Sequence, residues 1–143
     1  MSRFNEYSTI AQVAIRTAAN AFVSTAQLEE QWQPLRFHEQ PDLDEANIEY
    51  RQFKQLLAAK GAEIIELSAA DNLTIDSIYT RDSILVSPNG LILCNMGRAS
   101  RTPEANINAA PIRLWATRWP VKSLHQAHWK EAILSGSTTS MPP

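Results

Sequence analysis

The spacing of apolar and polar positions changes along the chain, and each change of period marks an element. Leu43, Ala46, Tyr50, Phe53 and Leu57 recur at intervals of three and four. That spacing lines one face of a 3.6-residue period and predicts a helix over about 42–60. Asp42 can accept from the first turn, Glu45 completes a capping box three residues on, and Gly61 supplies a left-handed stop. A period of two appears in residues 10–18, where Val13 and Ile15 alternate with Ala14 and Arg16, and it predicts a short strand. Residues 62–67 predict a second strand and residues 78–86 a third. Ser87-Pro88-Asn89-Gly90 then has turn chemistry, and residues 91–94 predict a returning strand. Residues 20–40 show no clean period, with Trp32, Leu35 and Phe37 as expected anchors. The order strand, helix, strand, hairpin describes an α/β protein with both crossover and short-range pairing.

Composition narrows the function classes. The chain has 143 residues, 44% hydrophobic and 20% charged, which fits one globular domain. A net charge of −2 argues against a nucleic-acid or membrane-surface partner. No apolar run reaches the length of a membrane span, and the first residues have no signal-type apolar segment. The single cysteine, Cys94, cannot form an internal disulfide. A soluble cytoplasmic protein is expected.

After about residue 105 the pattern fades. Trp115, Trp119 and Trp129 are three of the four tryptophans, residues 111–134 keep neither period, and residues 135–143 read as disordered. No internal repeat is found.

Two segments carry candidate chemistry. Leu73-Thr74-Ile75-Asp76-Ser77-Ile78-Tyr79-Thr80-Arg81-Asp82 is rich in β-formers yet holds two aspartates, which strands disfavour. They read either as solvated charges at a strand end or as carboxylates on a pocket wall that binds a planar cation such as a guanidinium. On one straight strand Asp76, Ile78, Thr80, Asp82 and Ile84 would share a face, and the two carboxylates would lie about 20 Å apart. Only a bend would bring them together. In Met96-Gly97-Arg98-Ala99-Ser100-Arg101-Thr102-Pro103-Glu104 the arginines read either as solvated loop charge or as a clamp on a substrate carboxylate. Cys94 reads as a buried thiol rather than a nucleophile. His38, His125 and His128 have no metal-ligand spacing, and no phosphate loop or nucleophile elbow is present.

Taken together and in order, these segments resemble the superfamily of arginine deiminases, amidinotransferases and dimethylarginine dimethylaminohydrolases. The resemblance runs from the first strand to about Glu104. It includes Gln31-Trp32, Pro41-Asp42-Leu43, the end of the helix, the Asp76…Arg81-Asp82 segment, Met96-Gly97 and Arg101-x-x-Glu104. It implies a pentein fold, an α/β propeller, of which this chain would hold the first one to two strand-helix units followed by an irregular tail. It also implies a covalent reaction in which a cysteine thiolate attacks the guanidinium carbon and a histidine moves protons. Asp82 would bind the guanidinium nitrogens, Asp76 would hold the substrate or orient its neighbours, and Arg101 would pair with the substrate carboxylate. The partner implied is a small guanidino compound such as arginine or a methylated arginine. No cofactor and no metal are implied.

The resemblance also implies a chain about twice as long. The Glu-Gly-Gly-Asp segment, the general-base histidine and the nucleophilic cysteine would follow later, so no catalytic residue is expected in residues 1–143 and no turnover by them. Residues 105–143 are expected to be a frameshifted or disordered tail, with the break between about 105 and 114. Reading residues 125–133 one nucleotide earlier forces Leu and Glu around the single Trp129 codon and permits Pro-Gly-Thr before them and Gly-Gly-Asp after them. Two alternatives stay open: an amidinotransferase parent, or a small arginine-binding module without catalysis.

Overall fold

The computed structural model describes residues 8–87, 90–116 and 123–127. Strand β1 (Gln12–Ile15) is followed by two short helices, α1 (Ala18–Phe22) and α2 (Thr25–Gln31). Thr17 and Ser24 cap them, each hydroxyl accepting from an amide three residues on. Helix α3 (Leu43–Ala59) begins at Asp42, whose Oδ1 accepts from the Glu45 amide at 2.8 Å. It ends at Gly61, which takes φ +81°. Leu43, Ala46 and Tyr50 pack inward as the periodicity requires. Phe53 departs from expectation: it remains 44% exposed and meets Tyr50 edge-on, with ring centroids 5.7 Å apart.

Strand β2 (Glu63–Glu66) returns parallel to β1, in a register that pairs Val13 with Ile64 and Ile15 with Glu66. A parallel neighbour needs a crossover, and α1 to α3 supply it. Strands β3 (Ile84–Ser87) and β4 (Gly90–Cys94) then form the expected antiparallel hairpin, with Ile84 opposite Leu93 and Ser87 opposite Gly90. Helix α4 (Glu104–Ala116) leads to β5 (Ser123–Ala127), which lies parallel to β4. The described residues thus make a mixed α/β structure of two small sheets, β1-β2 and β3-β4-β5.

The third strand is shorter than predicted. Residues 78–83 are not strand: Ile75–Ile78 and Thr80–Asp82 form two 3-10 turns, and β3 starts only at Ile84. Backbone bonds from Ser77 to Thr74, Tyr79 to Asp76 and Ser83 to Thr80 close these turns. Short-range bonds satisfy the backbone of these turns, while Ile75 is fully buried. The straight-strand geometry for Asp76 and Asp82 therefore does not hold.

Residues 105–116 fall within the region assigned to the tail, and they form most of α4. Ala105, Asn108, Ala109 and Ile112 are buried at spacings of three, one and three, a helical stripe. The three apolar ones join Leu67, Ile84, Leu91 and Leu93 in one core cluster. Arg113 is exposed, Leu114 is 77% exposed, and Pro111 lacks the amide that an interior helical position donates. Residues 128–143, with the shifted Glu-Gly-Gly-Asp reading and His128, lie outside the described residues. A second core cluster joins α1, Leu28 and Ile75, with Trp32, Leu35 and Phe37 packed against it as expected.

Candidate functional site

A cleft of about 650 Å³ opens between the turn at 35–38, the 3-10 turns at 75–82 and the segment after β4. Asp76, Asp82, Arg98 and Arg101 all line it. The bend at 75–82 is what brings both aspartates to one wall, where a straight strand would have held them apart.

Each aspartate faces its own arginine. Asp76 is 5% exposed, and its Oδ2 accepts from Arg98 Nη1 at 2.7 Å. The same Nη1 donates to the Leu35 carbonyl at 3.0 Å. Asp82 is more open, with 56% of its side chain exposed, and its Oδ2 accepts from Arg101 Nη1 at 2.8 Å. Its Oδ1 has no partner among the described residues. Both carboxylates carry an ion pair with one arginine, and Asp82 is the one more accessible to a cation entering the cleft.

Arg101 is held on three sides. Nε and Nη2 donate to the two Glu104 oxygens at 2.8 and 2.9 Å, and Nη2 also donates to the Tyr79 carbonyl at 3.0 Å. Burial alone works against its charge. The hydrogen bonds and charges of Glu104 and Asp82 outweigh burial and push its pKa above the ordinary arginine value. Glu104 is fully buried behind it. Nε and Nη2 of Arg101 thus face Glu104, and its Nη1 faces Asp82.

A second buried polar group supports this wall. Arg16, 1% exposed, donates from Nη2 to Asn108 Oδ1 at 2.7 Å, and Asn108 donates to Ser83 Oγ at 2.9 Å. Arg16 Nε and Nη1 have no hydrogen-bond partner among the described residues. Burial lowers the pKa of Arg16, and the charge of Glu104 opposes that shift. The Ser83 hydroxyl bonds the Thr80 carbonyl, so this chain of contacts ends at the turn that carries Asp82.

Sequence reasoning named Asp76, Asp82 and Arg101, and all three lie on the cleft. It noticed Arg98 in the loop but gave the clamp to Arg101. It missed Glu104 as the partner of Arg101, although the three-residue spacing was a usable signal. Nothing local marks Arg16 and Asn108, which are 92 positions apart. Cys94 is buried and lines the cleft, as does His38. No group of metal-ligating residues occurs among the described residues. Among them no helix is long and apolar enough to cross a membrane.

This mixed α/β fold of small sheets is similar to that of dimethylarginine dimethylaminohydrolase structures. One is the enzyme from Pseudomonas aeruginosa, a cysteine-to-serine mutant complexed with citrulline. It aligns at a TM-score of 0.60 with 18% identity, over 85% of this chain and 43% of that one. Another is a dimethylarginine dimethylaminohydrolase adduct with 4-chloro-2-hydroxymethylpyridine, at a TM-score of 0.59 and 18% identity. A third is a histidine-to-glycine variant as an adduct with S-methyl-L-thiocitrulline, at a TM-score of 0.59 and 18% identity. The chain spans 41–43% of the length of these neighbours. No protein-family profile matches it, and no curated protein matches it in sequence.

Proposed function

We propose that this chain is the amino-terminal part of a hydrolase or deiminase acting on the guanidino group of arginine or a methylated arginine. The parent is a pentein propeller, of which this chain holds the first one to two strand-helix units. In the parent a cysteine thiolate attacks the guanidinium carbon while a histidine transfers protons. No residue of this chain is assigned to either role, so binding without turnover is expected. The observation that carries the reading is the convergence of Asp76, Asp82 and two arginines on one cleft, in a fold shared with enzymes complexed with citrulline and thiocitrulline.

Within the cleft, Asp82 Oδ1 receives the guanidinium, Arg101 fixes the orientation of Asp82, and Asp76 positions the neighbouring wall. A planar guanidinium is well suited to a carboxylate already oriented by an ion pair.

The test is calorimetric titration of the 143-residue chain with L-arginine, together with an assay for amidine hydrolysis. Saturable binding that Asp82→Ala abolishes, without hydrolysis, is expected. Hydrolysis by this chain, or binding indifferent to Asp82, would refute the assignment.

A further inference from the structure

The turn that carries Asp82 is closed weakly by its own backbone. The Asp82 amide reaches the Tyr79 carbonyl only at 3.4 Å, and the Ser83 amide reaches the Thr80 carbonyl at 3.4 Å. Both distances are longer than a well-formed amide bond. The Ser83 hydroxyl closes the turn better, donating to the Thr80 carbonyl at 2.9 Å. Ser83 is itself anchored: it is fully buried, and its carbonyl accepts from the Cys94 amide of β4 at 3.0 Å. One hydroxyl proton therefore makes the shortest tie between the turn and the sheet.

A hydroxyl has a single proton, and the groups around its oxygen decide where that proton points. Asn108 Nδ2 lies 2.9 Å from Ser83 Oγ. A side-chain amide can present either its oxygen or its NH2 group to a hydroxyl, and the two ends demand opposite directions. With the oxygen facing Ser83, the hydroxyl would donate to Asn108 and leave Thr80. Arg16 removes that choice. Its Nη2 lies 2.7 Å from Asn108 Oδ1, and a guanidinium offers donors only. Oδ1 must face Arg16, Nδ2 must face Ser83, and the Ser83 proton is left for Thr80. Each bond in this row polarises the next in the same sense.

Stability alone is a poor account of Arg16. It is 1% exposed, and its Nε and Nη1 have no hydrogen-bond partner among the described residues. Buried donors without acceptors work against folding. The direction that Arg16 imposes on Asn108 is the contribution that an apolar side chain could not supply.

We propose that Arg16 is a positioning residue: it fixes the direction of the hydrogen bonds from Asn108 through Ser83 to Thr80, and so holds Asp82 in its binding conformation. This rests on the reading of Asp82 as the carboxylate that receives the guanidinium. Arg16 is not among the residues that line the cleft, so it acts only through these contacts.

The experiment compares the 143-residue chain with Asn108→Asp by urea unfolding, by amide hydrogen exchange at Asp82 and Ser83 without ligand, and by titration with L-arginine. The carboxylate introduced still accepts from Arg16, but it can only accept from Ser83, so the hydroxyl turns away from Thr80. The unfolding midpoint should hold or rise, because Arg16 gains a carboxylate. Exchange at the two amides should quicken and L-arginine binding should weaken, each by roughly five- to tenfold, the scale of one net hydrogen bond. Arg16→Gln, whose amide can face Asn108 with either end, should show part of the same loss. Ser83→Ala removes the proton altogether and should weaken binding as Asn108→Asp does; it decides the matter if Asn108→Asp fails to fold. Unchanged exchange and binding in the folded variants, or binding that falls only in step with the unfolding midpoint, overturn the positioning role and leave the guanidino reading standing. No binding of L-arginine by the unaltered chain overturns both.

Discussion

Arg101 and Glu104 face each other through two parallel hydrogen bonds, Nε to Oε1 at 2.8 Å and Nη2 to Oε2 at 2.9 Å. The pair spans the junction between the 3-10 turn Ala99–Arg101 and the first residue of α4. It joins the cleft wall to the core, because Arg101 also holds Asp82 and Glu104 lies next to the buried Ala105. Glu104 also sits in the first turn of its helix, where a negative charge is favoured.

Glu104→Gln keeps the shape of this contact and removes its charge. A buried ion pair that loses one partner leaves the other without compensation. The expected cost is roughly 3 kcal/mol of folding stability. Urea titration of both chains measures it. A loss below about 1 kcal/mol would mean that Arg101 relaxes toward solvent and that the pair is not a structural joint.

Among the described residues Asn108 is the single side-chain hydrogen-bond partner of the Arg16 guanidinium, and it also reaches Ser83. In Asn108→Ala the Arg16 guanidinium would stay buried with no acceptor. A destabilisation of about 2–4 kcal/mol is expected, more than the lost contact alone would give. The same titration applies. A double variant with Arg16→Met should recover part of the loss, since the orphaned charge is gone. No recovery would show that Asn108 acts through Ser83 instead.

The gene should show a change of reading frame within α4. The buried stripe of Ala105, Asn108, Ala109 and Ile112 is what selection on a folded helix leaves behind, and it reaches Ile112. The break is expected within the interval of about 105 to 114 taken from the sequence. Sequencing the DNA from codon 100 onward should find a second frame running through Leu-Glu-Gly-Gly-Asp to a downstream histidine and cysteine. An uninterrupted single frame with no such continuation would remove the frameshift and favour a small binding module.

Much of the scaffold was legible because its signals are local. Asp42, the stripe beginning at Leu43 and Gly61 define α3 within a residue of its observed ends. The alternation around Val13 and the turn chemistry after Ser87 place β1 and the hairpin. The 3-10 turns at 75–82 were not legible. Ile75, Ile78, Tyr79 and Thr80 are all strand formers, and propensity has no means of registering the short-range bonds that close the two turns.

The sequence by itself determined which residue types the site would use: two aspartates six apart, and two arginines three apart on a following loop. Tertiary structure alone decided how they pair. Asp76 meets Arg98 from 22 positions away and Asp82 meets Arg101 from 19, through a bend set by burying Ile75 and by the bonds of Ser83. How an arginine is engaged depends on which acceptors surround it in space: Glu104 and Asp82 for Arg101, Asp76 and the Leu35 carbonyl for Arg98.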